Sequence, residues 1–158
     1  MPHEYRADRI DALILQALTR EPRATTIALA QRTGLSRNTV QARLARLEAH
    51  GALGTFERRI DPAILDYPLT AFIMTNVTQR KLTDVAQSLE EVPEVLEVHG
   101  LSGVADLLIK VVGRDADDLY RVAGRILDIK GVKRTSTALV MRDLVDYRLS
   151  PLVAQVAQ

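Results

Sequence analysis

Along Ile10, Leu13, Ile14, Ala17 and Leu18, apolar residues recur at i, i+3, i+4, i+7 and i+8. That spacing gathers them on one face of a helix. Glu21-Pro22 predicts its end, because proline lacks an amide proton and biases the preceding residue away from helical angles. Thr25 or Thr26 can cap a second, short helix whose inward side carries Leu29 and Ala30, and Gly34 permits the left-handed turn after it. Ser36 predicts the N-cap of a third helix with Val40, Leu44 and Leu47 on its inner side, and Gly51 ends that helix. Thr55–Ile60 predicts a short extended wing. Two helices across a glycine turn, preceded by a bracing helix, are the pattern of a helix-turn-helix.

Beyond residue 60 the periodicity changes. Residues 82–95 and 119–132 superimpose at an offset of 37. Leu82, Val85, Ala86 and Leu89 match Leu119, Val122, Ala123 and Ile126, and Val92 and Val95 match Ile129 and Val132. A β-rich run precedes each helix, Leu69–Val77 and Leu107–Val112, with Phe72 and Met74 at the positions of Ile109 and Val111. Two β-α-β units in about 80 residues predict a ferredoxin-like βαββαβ domain, an antiparallel sheet with both helices on one face. In that frame Leu108, Val112, Ala71, Ile73 and Val77 lie on the uncovered face, so a second copy is expected to pack sheet to sheet. From Tyr147 the chain is expected to be a short tail broken at Pro151, packing on a partner chain or fraying.

Composition adds a division of labour. The 158 residues carry a net charge of only +1, but residues 1–60 hold ten Arg against six acids, +4, and the remainder is −3. A basic half joined to an acidic half fits a polyanion-binding domain beside a domain with another task. No apolar run reaches the ~18 residues of a membrane span, and the first residues show no export signal. The expected location is the cytoplasm, with no membrane partner. There is no cysteine, hence no disulfide or thiolate zinc site.

On the third helix, Asn38, Gln41, Ala42, Ala45 and Arg46 point away from the core at 100° per residue, with Arg37 and Arg43 at the borders. Asn and Gln can pair with adenine edges and Arg with guanine, and alanines allow close approach to a groove floor. Arg37, Arg43 and Arg46 can equally hold phosphates, and Arg58 and Arg59 of the wing can reach the backbone. A second candidate lies between the repeats, Gly100-Leu101-Ser102-Gly103-Val104-Ala105-Asp106. Its glycines expose amides that suit a carboxylate, and Asp106 can accept from an ammonium group, although such a loop can also be a plain turn. His3, His50 and His99 are scattered, and neither a nucleophile motif nor a carboxylate cluster with metal spacing is present, so neither catalysis nor a metal or other cofactor is expected.

The segments IDALILQAL, GLSRNTVQARLARLEAHGAL, GVADLLIKV and GVKRTSTALVM together resemble the Lrp/AsnC, or feast/famine, family of prokaryotic transcription regulators, and the resemblance spans nearly the whole chain. It implies an α+β chain: a winged helix-turn-helix over 1–60, a linker over 61–68, a ferredoxin-like effector-binding and oligomerisation domain over 69–148, and a tail over 149–158. It further implies DNA contacts from Ser36, Arg37, Asn38, Thr39, Gln41, Ala42 and Arg43, with Arg46, Arg58 and Arg59 nearer phosphates. The Gly-x-x-Asp turn falls on Gly103 and Asp106, which implies an effector site formed by Leu101, Ser102, Gly103, Val104, Ala105 and Asp106, with hydroxyls from Thr135, Ser136 and Thr137 across a subunit interface. Ala105 and Leu107 stand where many members carry an aromatic, so a less aromatic pocket is expected, and the residues around Leu53, Gly54, Thr55 and Phe56 depart from the usual wing. The partners implied are double-stranded DNA, a second copy in a homodimer and then a tetramer of dimers, and an amino-acid effector. Two other readings compete: an architectural DNA protein without effector, and an amino-acid-binding regulatory subunit that never meets DNA.

Overall fold

The computed structural model describes residues 5–158, so His3 and the start of the expected first domain lie outside the described residues. The chain separates into two compact units. One holds the described residues through Phe56 together with Val145–Gln158, and the other holds Glu57–Leu144.

The first unit contains α1 (Arg9–Arg20), α2 (Thr26–Thr33), α3 (Arg37–Ala49) and α6 (Ser150–Ala157). Each start has a local cause. Asp8 and Asp11 form a reciprocal capping box on α1, Thr25 accepts from the Ala28 amide at the start of α2, and Ser36 accepts from the Thr39 amide at the start of α3. Gly34 ends α2 at φ 70°, a conformation that costs glycine little. Ile14, Ala17, Leu29 and Val40 form the buried centre, with Ile10, Leu18, Leu35 and Leu44 packed around it. The C-terminal residues form a helix instead of a broken tail: Pro151 sits in the first turn of α6, where its missing N–H has no partner to lose, and α6 packs along α1.

The second unit contains β1 (Leu69–Val77), α4 (Leu82–Glu90), β2 (Val95–Gly100), β3 (Leu107–Gly113), α5 (Ala116–Leu127) and β4 (Val132–Leu139). The four strands form an antiparallel sheet in the order β2-β3-β1-β4, which is the ferredoxin-like arrangement. Val85, Leu89, Val122 and Ile126, at the spacing the repeat gave, pack onto Ala71, Ile73, Val77, Leu107, Ile109 and Val111. Fully burying each of these Ile or Leu side chains is worth about 1.5–3 kcal/mol.

Two expectations are corrected. In β1 the covered and open faces are exchanged: Ala71, Ile73 and Val77 lie under the helices, and Phe72 and Met74 lie on the open face. In β3 Leu108 is on the open face as expected, but Val112 is buried, 3% exposed. The buried positions of β1 and β3 are 71, 73, 75 and 77 and 107, 109 and 111, so the strands are in phase at an even offset while the helices repeat at 37, and a one-residue slip reverses every side chain of a strand. The segment after α3 is not extended. Phe56–Arg59 forms a 3-10 turn in which Ile60 N–H donates to the Glu57 carbonyl at 3.1 Å. Its three consecutive polar residues give it no alternating face to bury, and no described strand pairs with it. The expected linker likewise holds a 3-10 turn, Pro62–Leu65, capped by Asp61.

Glu94, 6% exposed, receives Arg121 at 2.6 Å and Arg125 at 3.5 Å. Burial alone would raise its pKa, but the hydrogen bond from Arg121, its backbone N–H and the two positive charges outweigh that and hold it below the usual carboxylate range. A depressed carboxylate stabilises the fold above its unfolded pKa of about 4.3, and that contribution is lost as pH falls through the folded value. Glu94→Gln is therefore expected to cost roughly 1–2 kcal/mol at neutral pH, with the difference from the parent vanishing once Glu94 is protonated. Urea unfolding of both proteins at pH 7 and pH 3 measures it. A difference that stays constant with pH would contradict the assignment.

Candidate functional site

The outward face of α3 is assembled as the helical spacing predicts. Arg37, Asn38, Gln41, Ala42, Ala45 and Arg46 are exposed, while Val40 and Leu47 are fully buried. Ser36 spends its side chain on the helix itself: its Oγ accepts the Thr39 N–H at 3.0 Å and lies 2.8 Å from Thr39 Oγ1. Both hydroxyls are occupied in starting the helix at a fixed point.

Arg43 departs most from expectation. Only 21% of its side chain is exposed, and Nη1 donates to Asp8 Oδ2 at 2.5 Å and to Asp11 Oδ1 at 3.3 Å. Asp11 is 1% exposed and also accepts the Tyr5 hydroxyl at 2.5 Å and the Asp8 N–H at 3.1 Å. The Asp8 carboxyl is held below its ordinary value, first by the Asp11 N–H and then by Arg43, and the Arg43 guanidinium is raised first by its bond to Asp8. Arg43 therefore joins α3 to the start of α1, which corrects its placement among groups facing a ligand. An aromatic clasp continues this brace. Tyr5 stacks on His50 with centroids 4.8 Å apart and planes 4° apart, and the Arg46 guanidinium lies 4.7 Å from the Tyr5 centroid. Sequence reasoning missed Tyr5, whose role depends on the chain doubling back over the end of α3. The Asp8-x-x-Asp11 pair was the available signal.

Arg58 and Arg59 belong to the sheet unit, not to the helix-turn-helix unit. Arg58 pairs with Glu97 on β2 at 3.0 Å, so it is not the arginine of an extended wing.

The loop Leu101–Asp106 joins β2 to β3. Gly103 takes φ 131°, in the region that favours glycine, and Leu101 N–H closes the loop on the Asp106 carbonyl at 2.8 Å. The Asp106 carboxylate faces β1: Oδ2 accepts the Val77 N–H at 2.8 Å and Oδ1 accepts the Gln79 amide at 3.0 Å. Asn76 adds a bond to the Val104 carbonyl at 2.9 Å. Both oxygens of Asp106 are thus engaged in anchoring the loop, which revises the expectation of an acceptor reserved for an ammonium group. Ser102 and Val104 are exposed, Val104 at 98%, and Ala105 is half-buried. Thr135 pairs with Thr75, whose carbonyl accepts the Asp106 N–H, so Thr135 is one strand from the loop. Ser136 and Thr137 lie farther along β4, opposite Met74 and Ile73. Thr75 is fully buried, and its hydroxyl alone among the described buried side-chain polar atoms has no partner. Two clefts, of about 220 and 210 Å³, lie between α1 and α6, and the loop is part of neither.

No group of three or more His, Asp or Glu able to hold a metal occurs among the described residues. His99 lies 3.4 Å from Glu97 on β2. No helix among the described residues is long and apolar enough to cross a membrane.

Comparison with known proteins agrees with both halves of this geometry. Residues 8–53 match the model of a winged helix-turn-helix DNA-binding domain, and residues 70–149 match that of the Lrp/AsnC ligand binding domain. The chain is 31% identical over 135 residues to the HTH-type transcriptional regulator FL11 of Pyrococcus horikoshii, covering 85% of this chain and 89% of that one. Among solved structures, E. coli AsnC superimposes with a TM-score of 0.82 at 26% identity, covering 93% of this chain and all of that one. The feast or famine regulatory protein of M. tuberculosis, solved with L-methionine, does so with a TM-score of 0.79 at 29% identity over 90% of this chain and 97% of that one. The helix-turn-helix unit and the antiparallel βαββαβ unit that follows it each match a domain of these regulators, and the chain belongs to the Lrp/AsnC family of transcriptional regulators.

Proposed function

We propose that the chain reads specific DNA sequences through α3, as a homodimer and then a tetramer of dimers, and that a small effector, an amino acid, adjusts its assembly or its DNA binding. The observation that carries the DNA reading is the exposed row Arg37, Asn38, Gln41 and Ala42 on a helix that Arg43 fixes against α1. A helix held this way can present a constant pattern to a major groove, with Asn38 and Gln41 reading base edges and Arg37 and Arg46 against phosphates. The dimer reading now rests on Phe72, Met74 and Leu108, apolar residues on the sheet face that carries no helix. Two such copies would present their reading heads about 10 bp apart, or a multiple of it.

Asn38→Ala or Gln41→Ala is expected to cost about 1–3 kcal/mol on the preferred site and little on random DNA. Band shifts on both duplexes at one salt concentration measure the difference. Equal losses on the two would remove these residues from base reading.

The M. tuberculosis relative solved with L-methionine supports an amino-acid effector, and the loop Leu101–Asp106 with Thr135 is its proposed site. The use of both Asp106 oxygens to anchor the loop favours a second reading, an architectural DNA protein without effector. Calorimetry with a panel of amino acids beginning with L-methionine separates them. Heat and a changed band-shift pattern support the sensor, and silence across the panel supports the architectural protein.

A further inference from the structure

The sheet unit is acidic as a whole, yet five cations of this unit sit together at one end of it. Thr78 N–H donates to the Gly131 carbonyl at 2.8 Å, which brings the turn Gln79–Lys81 against the segment leading into β4. The approach is close: a Cβ built on Gly131, itself at φ 113°, would lie 3.0 Å from Lys81 Cβ. Arg80 and Lys81 on one side therefore abut Lys130, Lys133 and Arg134 on the other. Arg134 pairs across the sheet with Asn76 and Val132 with Val77, which leaves Lys133 as the extra residue of a bulge in this edge strand. A bulge re-aims its side chain relative to the regular strand.

All but Lys81 are exposed, and none of the five makes an ion pair among the described residues. The contrast within the unit is informative. Arg58, Arg121 and Arg125 each have a carboxylate within 3.5 Å, whereas none of the five is so paired, and the carboxylate near them, Asp106, is bonded to the Val77 N–H and the Gln79 amide. Like charges gathered without ion-pair partners repel one another, a cost that a polyanion laid across them removes.

We infer that Arg80, Lys81, Lys130, Lys133 and Arg134 form a second DNA-contact surface, on the sheet unit, that takes the phosphodiester backbone without reading sequence. The inference rests on the DNA-binding reading of α3 and extends it. The patch is an exposed strand edge and turn carrying Lys and Arg with no ring to stack a base, which suits phosphates rather than bases. It would engage duplex that continues beyond the site read by α3.

The test compares the full chain with the triple variant Arg80→Gln, Lys133→Gln and Arg134→Gln on two duplexes sharing one binding site, one of roughly 20 bp and one of roughly 60 bp. On the long duplex, neutralising three phosphate contacts should lower the slope of log K against log salt by about 2.7, at 0.9 per contact. On the short duplex the slope and the sequence preference should hold. Arg80→Lys with Arg134→Lys, which keeps the charges, should retain the parent slope and serves as the folding control. Parent slopes on both duplexes for the neutralised variant would overturn the inference. So would a smaller assembly in sedimentation for that variant, which would make the patch a contact between copies, or a lost amino-acid response with unchanged slopes. A parent protein that retards neither duplex would instead defeat the DNA reading itself.

Discussion

Asp11→Ala is expected to destabilise the helix-turn-helix unit by roughly 2–3 kcal/mol and to weaken binding to specific and random DNA together. Asp11 is 1% exposed and takes bonds from Tyr5, the Asp8 N–H and Arg43 at once. Removing one member of a buried charge pair costs about 3–5 kcal/mol when the survivor is left uncompensated. Arg43 keeps some exposure and retains Asp8, which places the cost lower. The bonds form one network, so their losses are not additive. The functional loss follows from geometry: with its brace gone, α3 would no longer hold one angle against α1, and every phosphate and base contact made from it would suffer. This separates Asp11 from Asn38, whose loss is expected on the preferred sequence alone. Urea unfolding, with amide exchange in α1 read against the sheet unit, measures the first effect, and band shifts measure the second. An Asp11→Ala protein within 0.5 kcal/mol of its parent would show that the buried carboxylate does not hold the unit together.

The same cluster shows what could be read from the chain and what could not. Spacing alone located α1, α3, α4 and α5, because burial of one helical face leaves a 3.6-residue period in the sequence. It also gave the outward face of α3. It could not settle Arg43, which lies 60° from Val40 on the wheel, because a side chain that long reaches wherever a partner waits, and its partners sit more than thirty residues earlier. In the sheet the failure was one of phase. Helical frames tolerate a displaced residue, but a strand has period two, so carrying the offset of 37 back from the helices into the strands put Ile73 on the wrong face. Pro151 was read as a breaker, although in the first turn of a helix proline is a start signal. The loop at Gly103 and Asp106 was visible as a candidate, but not the direction of its carboxylate, which is decided by the N–H of Val77 at the end of β1 and the Gln79 amide in the turn after it.

Asp106→Ala is expected to abolish the response to the amino-acid panel while leaving DNA affinity without effector within about twofold, a change under 0.5 kcal/mol. The carboxylate and backbone of Asp106 together tie the loop to Thr75 and Val77 and close it on Leu101. Alanine leaves the part-buried Val77 N–H without its acceptor, a loss of about 1–3 kcal/mol borne by the loop and the end of β1. A loosened loop must be reordered by the ligand, and that cost comes out of binding. No described hydrogen bond or ion pair joins Asp106 to the helix-turn-helix unit, so basal DNA binding should persist. Asp106→Asn distinguishes the two ways this residue could act. Its amide oxygen can still accept the Val77 N–H, so an anchor survives in part and the response should fall but remain measurable by calorimetry. A direct partner of the effector's ammonium group needs the charge, and then asparagine should be as silent as alanine. Equal silence of the two variants would return Asp106 to the ligand, and an undiminished response in Asp106→Ala would place the effector elsewhere in the molecule.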